Sequence, residues 1–285
     1  MLCWMNGAYI RAEDLLISPF DHGFLYGVGF FETFRTYDGY VFLLDAHLSR
    51  LKSALDEYHI AFPYDKSTLL PVIQRLNEDA DGADGYFRLN VSAGVHEIGL
   101  APREYTEPNV IMFRKALPEV VGNPTKKGVW LSTHRNEPES TIRHKSHHFL
   151  NNVGGRMELP SLKDFEGLFV TKEGYVAEGV TSNVFWVKDD CLYTPSIETG
   201  ILPGTTRAFI LELAKRLEIK VCEGFYSKEF VDSADEVFVT NAIQEIVPLH
   251  DINGHELLGN DGPMLKKLQV AYRQAIAERR GLKWS

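Results

Sequence analysis

The chain has 285 residues, of which 44% are hydrophobic, 12% aromatic and 24% charged, and this composition excludes the disordered and fibrous classes of protein. Its 30 Lys and Arg residues against 39 Asp and Glu give a formal net charge of −9, and the cations are scattered, so we expect no nucleic acid partner. No apolar run is long enough to cross a bilayer and the first residues do not resemble a signal peptide, so we expect a cytoplasmic protein without a membrane partner.

The first hundred residues alternate between strand-like and helix-like patterns. Residues 29–36 are rich in aromatic and β-branched side chains, and the YDGY sequence at 37–40 predicts a tight turn into a second strand at 41–43. A helix follows, with His47 and Arg50 off its apolar stripe. The stripe consists of Leu44, Leu48, Leu51 and Leu55.

Residues 86–91 alternate between apolar and polar side chains, which predicts a strand with two different faces. The polar face is either solvated or lines a cavity. The apolar face consists of Phe87, Leu89 and Val91, and the polar face of Tyr86, Arg88 and Asn90.

A stretch rich in Pro, Gly and Lys between 113 and 128 is typical of an interdomain connection. We therefore predict one domain over residues 1–118, a connection over 119–128 and a second domain over 129–285. In the second domain the patterns predict strands at 129–133, 167–171, 184–187, 191–194 and 236–240, and helices at 146–158, 206–217 and 263–280. The three cysteines, at 3, 191 and 222, are far apart and lack metal-ligand spacing, so we expect neither a disulfide nor a zinc site.

The segment ILPGTTR at 201–207 precedes a predicted helix and permits two interpretations. A glycine before a helix allows close approach of a ligand, and Thr205 or Thr206 would add a hydroxyl to the free amide groups there, which suits a phosphate. The same residues also make an ordinary helix cap. The segment lacks the ending of a nucleotide P-loop and the three-glycine spacing of a dinucleotide fold.

The segment RHKSHHFLNN at 143–152 places Lys145 among polar residues. Cationic neighbours disfavour an ammonium ion, which is one way to obtain a nucleophilic amine. The alternatives are a surface loop, or a metal held by the histidines at 144, 147 and 148. No carboxylate lies at a suitable offset for a metal ligand, so we expect no metal.

The segment VAEGVTSN at 176–183 is a loop of small polar residues that carries one carboxylate and leads into an apolar strand. Glu178 is either a solvated turn residue or part of a functional site.

Together these segments resemble the class IV pyridoxal-phosphate family, which comprises branched-chain aminotransferases, D-amino-acid aminotransferases and 4-amino-4-deoxychorismate lyases. The resemblance covers essentially the whole chain and includes residues 21–35 and 45–50 in the family's order and spacing. Within the family the chain is most similar to the aminodeoxychorismate lyases, on the strength of residues 18–26, 145–148 and 193–196.

The resemblance implies an α+β fold of fold type IV, like that of D-amino-acid aminotransferases. It has a smaller N-terminal α/β domain and a larger C-terminal domain with a pseudo-barrel sheet, and family members form homodimers. The implied cofactor is pyridoxal 5'-phosphate. Lys145 would hold it covalently and move protons, Glu178 would face the pyridine nitrogen, and Arg50 would bind the phosphate together with Thr205 and Thr206.

The remaining site residues are implied in the same way. Leu202 would pack on one face of the cofactor ring, and Thr181 or Asn183 would order the loop around Glu178. Asn241 and Ala242 fall where other members use small hydroxyl residues, and at Ala242 only a backbone group is available. Candidates for binding the substrate are Arg88 and Arg143 for its carboxylates and Thr33 for the leaving group.

The implied activity is an elimination that converts aminodeoxychorismate into p-aminobenzoate and pyruvate, for folate synthesis, without a 2-oxo acid acceptor. The alternative within the family is an aminotransferase for D-alanine or branched-chain amino acids. A protein that keeps the fold but has lost the chemistry is a further alternative, and the complete set of Lys145, Glu178 and Arg50 argues against it.

Overall fold

The computed structural model describes residues 1–100, 102–119 and 123–281, and the chain forms two compact units. The first unit contains Met1–Pro118, His144–His148 and residues 279–281, and the second contains Glu119–Arg143 and Phe149–Glu278. The domain boundaries at 118 and 129 stay a prediction, and residues 120–122 of the predicted connection lie outside the described residues. A five-residue segment with Lys145 near its centre therefore belongs to the first unit, whereas the chain on either side of it belongs to the second.

The described part of the chain contains fifteen strands. They are β1 (Leu2–Met5), β2 (Ala8–Arg11), β3 (Gly29–Tyr37), β4 (Tyr40–Val41), β5 (Gly85–Ser92), β6 (Asn109–Ala116), β7 (Lys126–Trp130), β8 (Phe165–Val170), β9 (Val176–Gly179), β10 (Asn183–Lys188), β11 (Cys191–Pro195), β12 (Lys220–Gly224), β13 (Glu236–Asn241), β14 (Glu245–Ile252) and β15 (His255–Glu256). The helices are α1 (His22–Leu25), α2 (Leu44–Glu57), α3 (Lys66–Glu78), α4 (Leu150–Met157), α5 (Thr205–Arg216), α6 (Lys228–Asp232) and α7 (Pro263–Gly281).

The first unit is built on an antiparallel sheet with the strand order β2-β1-β6-β5-β3-β4. Side chains of α2, α3 and the sheet form one apolar core, in which the rings of Phe34 and Phe87 stack at 5.7 Å between centroids. The apolar face predicted for the 86–91 strand is confirmed, because Phe87, Leu89 and Val91 are fully buried.

The predicted hairpin is also confirmed. Asp38 and Gly39 both have positive φ, +48° and +81°, as the turn between two strands of such a short hairpin requires. The second strand is shorter than predicted, because Leu43 has already left the extended conformation, at φ +59°, to begin α2.

The predicted position of His47 off the buried face of α2 is wrong, since its side chain is 1% exposed. The helical pattern counts only apolar residues and therefore misses a buried histidine that is hydrogen bonded. In the structure His47 faces the core because it bonds to Glu32 of β3.

The second unit is built on a mixed sheet with the strand order β12-β11-β10-β13-β14-β7-β8-β9, and β15 pairs with β14. The β11/β12, β7/β14 and β7/β8 pairs are parallel and the others antiparallel. The sheet curls, because β9 at one end of this order lies against β10 and β11. Its core includes Trp186 and the stacked rings of Phe185 and Phe238, while Phe209 of α5 meets Tyr272 of α7 edge to face.

The helix predicted over 146–158 begins four residues later, at Leu150. Residues 144–148 are not helical, and their backbone instead pairs with β3 through an isolated bridge at Ser146. Large apolar side chains of this helix are exposed, at 82% for Leu150 and 79% for Met157.

Two of the three cysteines, treated as separate thiols in the sequence, are neighbours on adjacent strands. The β11/β12 pairing brings the Sγ atoms of Cys191 and Cys222 within 2.9 Å. Burial and the neighbouring thiol raise the pKa of Cys191 to about 11, so its thiol is protonated at neutral pH.

Among the helices of the described residues, none combines the length and the apolar composition that crossing a bilayer requires.

The Phe34/Phe87 stack gives a test of the first unit's core. Phe87→Ala should lower the free energy of unfolding by about 3–5 kcal/mol, because it removes a fully buried ring and leaves a cavity. Urea unfolding monitored by fluorescence would measure it. The control Lys52→Ala, at an exposed position of α2, should change stability by less than about 0.5 kcal/mol. Equal effects of the two substitutions would contradict the described core.

Candidate active site

The lysine segment is held by the edge of β3. The Phe31 amide donates to the Lys145 carbonyl at 2.9 Å, and the His147 amide donates to the Gly29 carbonyl at 2.9 Å. This approach needs a glycine at 29, because a Cβ there would lie 2.3 Å from the His147 ring and 2.6 Å from the Val91 carbonyl. The Lys145 Nζ lies 4.6 Å from the centre of the Phe31 ring.

Two of the three substrate candidates lie on the same face of the sheet as Phe31. Thr33 pairs directly with Arg88 across β3 and β5, and Phe31 pairs with Asn90. The Arg88 guanidinium lies 3.6 Å from the Phe31 ring centre, and its Nε and Nη2 donate to Asn90 Oδ1 at 3.3 and 3.2 Å. Phe31 thus contacts the cations of both Lys145 and Arg88. The polar face of β5 is half-buried, which favours the cavity interpretation over the solvated one.

The three histidines beside Lys145 have different partners. His144 Nε2 lies 2.8 Å from Glu57, His147 Nε2 lies 3.0 Å from Asn90 Oδ1, and His148 Nε2 lies 3.1 Å from the Tyr26 carbonyl. In the described part of the chain no three His, Cys, Asp or Glu residues gather in a way that could hold a metal ion. Burial and the nearby Arg88 lower the pKa of His147 to about 4. His147 is therefore neutral at pH 7 and is not the cationic neighbour that the sequence suggested for Lys145.

Arg50 is bonded to a buried carboxylate of β3. Its Nε and Nη2 donate to the two oxygens of Glu32 at 2.8 and 2.7 Å. His47 Nδ1 lies 2.7 Å from Glu32 Oε2 and must be the donor, because an ionised carboxylate only accepts. The sequence did not single out Glu32, because a Glu inside an aromatic strand carries no motif of its own.

In the second unit Glu178 is buried on β9 and bonded on both oxygens. Oε1 accepts from Arg135 Nε at 2.8 Å, and Oε2 accepts from the Leu202 amide at 3.0 Å. Arg143 Nε lies 3.8 Å from Oε1. This excludes the solvated-turn interpretation of Glu178. Arg135 was missed from the sequence because it stands in a loop without a recognisable pattern.

Arg143 is buried beside Glu178 and directs its other donors to the protein. Its Nη1 donates to Asn136 Oδ1 at 3.2 Å, and its Nε donates to the Gly200 carbonyl. Burial and the neighbouring Arg135 lower the pKa of Arg143 to about 10, so it remains cationic at neutral pH. Its role as a substrate ligand stays a prediction.

The start of α5 has the form of an anion site. Gly204 is the N-cap and supplies no side-chain cap to the first turn of the helix. Thr205 and Thr206 are buried, and the Thr206 hydroxyl has no hydrogen-bond partner among the described residues. A Cβ at Gly204 would lie 2.0 Å from Asn183 Oδ1, so only glycine fits. The amides of a helix N-terminus, together with an unpaired hydroxyl, suit a phosphate.

The predicted loop over 176–183 is shorter in the structure, because residues 176–179 form β9. Ser182 and Asn183 order the turn that follows, whereas Thr181 is exposed. Asn183 Nδ2 donates to the Leu202 carbonyl at 2.9 Å, which holds the Leu202 amide against Glu178. Ser182 Oγ donates to Glu166 at 2.7 Å, and Glu166 is paired with the buried Lys126.

β13 extends one residue beyond the predicted strand, so Asn241 is its last residue and Ala242 follows it. Asn241 Oδ1 accepts from the amides of Ile243 and Gln244, so this side chain shapes the turn. The hydroxyl of Thr240, one residue earlier, is buried and has no hydrogen-bond partner in the described residues. Sequence reasoning missed Thr240, because it reads as an ordinary strand residue.

Comparison with known proteins identifies the family. The family model for amino-transferase class IV matches residues 29–252. The chain belongs to the class IV aminotransferase family. A Bacillus subtilis class IV relative named aminodeoxychorismate lyase is 42% identical over 277 residues, which cover 96% of this chain and 94% of that protein. A protein of Methanocaldococcus jannaschii named putative branched-chain-amino-acid aminotransferase is 32% identical over 276 residues, which cover 96% of this chain and 96% of that protein.

A solved structure shows the same fold. The branched-chain aminotransferase of the archaeon Thermoproteus uzoniensis, crystallised with norvaline, matches with a TM-score of 0.87 at 26% identity, over 97% of this chain and 94% of that one. The predicted two-domain fold of type IV with its curled sheet is therefore confirmed.

Class IV enzymes use pyridoxal 5'-phosphate, and this protein is an enzyme that uses it. The residues present fit the cofactor. The uncapped start of α5 and the unpaired Thr206 hydroxyl suit its phosphate, and the buried, arginine-paired Glu178 suits a protonated pyridine nitrogen.

The neutral His147 predicts how stability depends on pH. Its pKa of about 4 in the folded protein lies below the ordinary 6.5, so between these pH values the unfolded chain binds a proton that the folded one does not. Stability should fall as pH falls through this window, and His147 should contribute up to about 1.4 kcal/mol per pH unit. Urea unfolding of the cofactor-free protein should show a shallower slope for His147→Gln, whereas His134→Gln, at an exposed position, should keep the original slope.

Proposed function

We propose that the protein is an aminodeoxychorismate lyase, which forms p-aminobenzoate and pyruvate as a step in folate synthesis. The observation that carries the proposal is the 42% identity to the relative of that name across nearly the whole length of both chains, against 32% for the relative named as an aminotransferase. The lysine, the carboxylate and the arginine that the family resemblance requires all stand in ordered, bonded positions.

When bound, pyridoxal phosphate withdraws electrons from the carbon that carries the substrate's amine. Lys145 would hold the cofactor and then remove the proton from that carbon. The β3 edge fixes its backbone, and Phe31 packs against its side chain, so the amine is delivered from a constrained position.

Glu178 would keep the pyridine nitrogen protonated. Arg135 and the Leu202 amide hold this carboxylate in place, and each oxygen of a carboxylate has a second lone pair to offer. Thr205, Thr206 and Arg50 would take the phosphate, with Asn241 and Ala242 at the neighbouring turn. Leu202 would pack on the ring, and Asn183 would hold Leu202 there.

Arg88 and Thr33 would act on the substrate. Arg88 stacks on Phe31 and has a neutral amide, Asn90, as its hydrogen-bond acceptor, so its charge is available to a substrate carboxylate. Thr33, directly opposite on β3, would donate to the enolpyruvyl oxygen as its bond to the ring breaks. Loss of this oxygen and of the ring proton leaves an aromatic product, and the released enol becomes pyruvate.

The decisive assay supplies the cofactor-loaded protein with aminodeoxychorismate and no 2-oxo acid. We expect p-aminobenzoate and pyruvate in equal amounts over many turnovers, measured by chromatography and a coupled reduction of pyruvate. A parallel incubation contains D-alanine or a branched-chain amino acid with 2-oxoglutarate. Glutamate there, with no p-aminobenzoate in the first assay, would show an aminotransferase instead.

Lys145→Ala is the matched control for this assay. It should abolish turnover and the visible absorbance of lysine-bound cofactor, because no other amine takes its place. Normal turnover by this variant would contradict the assignment of Lys145.

We also propose that the protein is a homodimer, as members of the family are. Large apolar side chains that a monomer would leave in water support this, including Ile98 and Leu100 in the first unit and Leu150 and Met157 in the second. Light scattering coupled to gel filtration should give twice the mass of the chain. A single-chain mass at micromolar concentration would contradict the proposal.

A further inference from the structure

Glu32 stands where an apolar residue is expected. It alternates with Phe31 and Thr33 along β3 and faces the same core as Phe30 and Phe34, with 1% of its side chain exposed. An ionised carboxylate in such a position is costly unless its partners replace the lost water. The hydrogen-bond partners of Glu32 therefore explain why a glutamate is tolerated at this buried position.

Those partners fix the carboxylate and the guanidinium together. Both Glu32 oxygens accept from one edge of Arg50, through Nε and Nη2, and His47 donates a third hydrogen bond. Burial would raise the pKa of Glu32, but Arg50 and His47 outweigh it and bring the pKa to about 2. Burial also lowers the pKa of His47, which stays neutral at pH 7. The cluster therefore carries one negative charge, on Glu32, and one positive charge, on Arg50, and both groups are held in place.

A planar guanidinium held along one edge has no rotational freedom left. The direction of the N–H groups that do not face Glu32, on Nη1 and Nη2, is then set by the protein as well. Solvent reaches 13% of the Arg50 side chain but only 1% of Glu32, so the arginine is the more accessible of the two side chains.

We propose that Glu32 is a positioning residue that aims Arg50 at the phosphate of the cofactor. This inference rests on the role given to Arg50 in the proposed function. The competing explanation is that Glu32 only neutralises Arg50. The two explanations predict opposite results, because removing a neutralising carboxylate adds positive charge beside a phosphate and would strengthen binding.

The test measures the dissociation constants of the cofactor-free protein for pyridoxal phosphate and for pyridoxal, which lacks the phosphate, by absorbance titration. Glu32→Gln should weaken binding of pyridoxal phosphate by about tenfold, since the charge-assisted bonds that orient Arg50 are lost. Binding of pyridoxal should be unchanged. Glu32→Asp keeps the charge but shortens the side chain, so it should also weaken binding of pyridoxal phosphate, and it covers the case in which Glu32→Gln does not fold.

Two further variants distinguish a failure of the positioning role of Glu32 from a failure of the role of Arg50 in binding the phosphate. Glu236→Gln removes another buried carboxylate, which accepts from two amides at the start of α7, and should leave the ratio of the two dissociation constants unchanged. Arg50→Lys should lose the preference for the phosphate, and adding Glu32→Gln to it should cause no further loss. Unchanged or tighter binding of pyridoxal phosphate by both Glu32 variants would overturn the positioning role. A normal phosphate preference in Arg50→Lys would instead overturn the role of Arg50 in the proposed function.

Discussion

The backbone pairing between residues 144–148 and the edge of β3 is the constraint on which the candidate site depends. A lysine that must deliver an amine to one atom needs a fixed backbone, and a free loop at this point would not give it one. Two hydrogen bonds to β3 and the close contact at Gly29 supply that backbone. The same strand carries Phe31 and Thr33 on one face and Glu32 on the other, so one strand sets the positions of the amine, of a substrate candidate and of the anchor of Arg50.

Buried carboxylates paired with arginine appear in both units. Glu32 is held by Arg50 in the first, and Glu178 by Arg135 in the second. A buried ion pair contributes little net stability, because desolvation of the two charges offsets their attraction. What such a pair does provide is a fixed direction for each charged group. A cofactor with a phosphate at one end and a ring nitrogen at the other needs that kind of fixed polar partner.

Local patterns predicted the elements well where burial follows hydrophobicity. The β3/β4 hairpin, α2, α5, α7 and the two faces of β5 could all be read from spacing and turn residues. The predictions failed where a polar group decides the conformation. His47 is buried because of Glu32, and residues 144–148 pair with a strand that is distant in the sequence instead of starting the helix, which no local window contains. No sequence motif marks Arg135, Thr240 or Glu32. Only the residues that lie near them in the folded chain indicate what they do. The roles of Lys145, Glu178 and Arg50 were predicted from the family resemblance, since their segments alone also permitted interpretations without a function, such as a surface loop or a solvated turn.

The lyase and aminotransferase reactions begin with the same proton removal, so the lysine, the buried carboxylate and the phosphate residues cannot distinguish them. The distinction must lie in what happens at the carbon next to the amine-bearing one. An elimination needs a donor for the departing oxygen and a cation for the carboxylate that leaves with it. Thr33 and Arg88 stand directly opposite each other on β3 and β5, on the face of the sheet where Phe31 packs against Lys145. The guanidinium could bind the carboxylate of any amino acid, but the hydroxyl has no polar partner in the hydrocarbon side chain of alanine or of a branched-chain amino acid. They suit a substrate that carries an ether oxygen and a second carboxylate, and this is the physical reason to prefer the lyase.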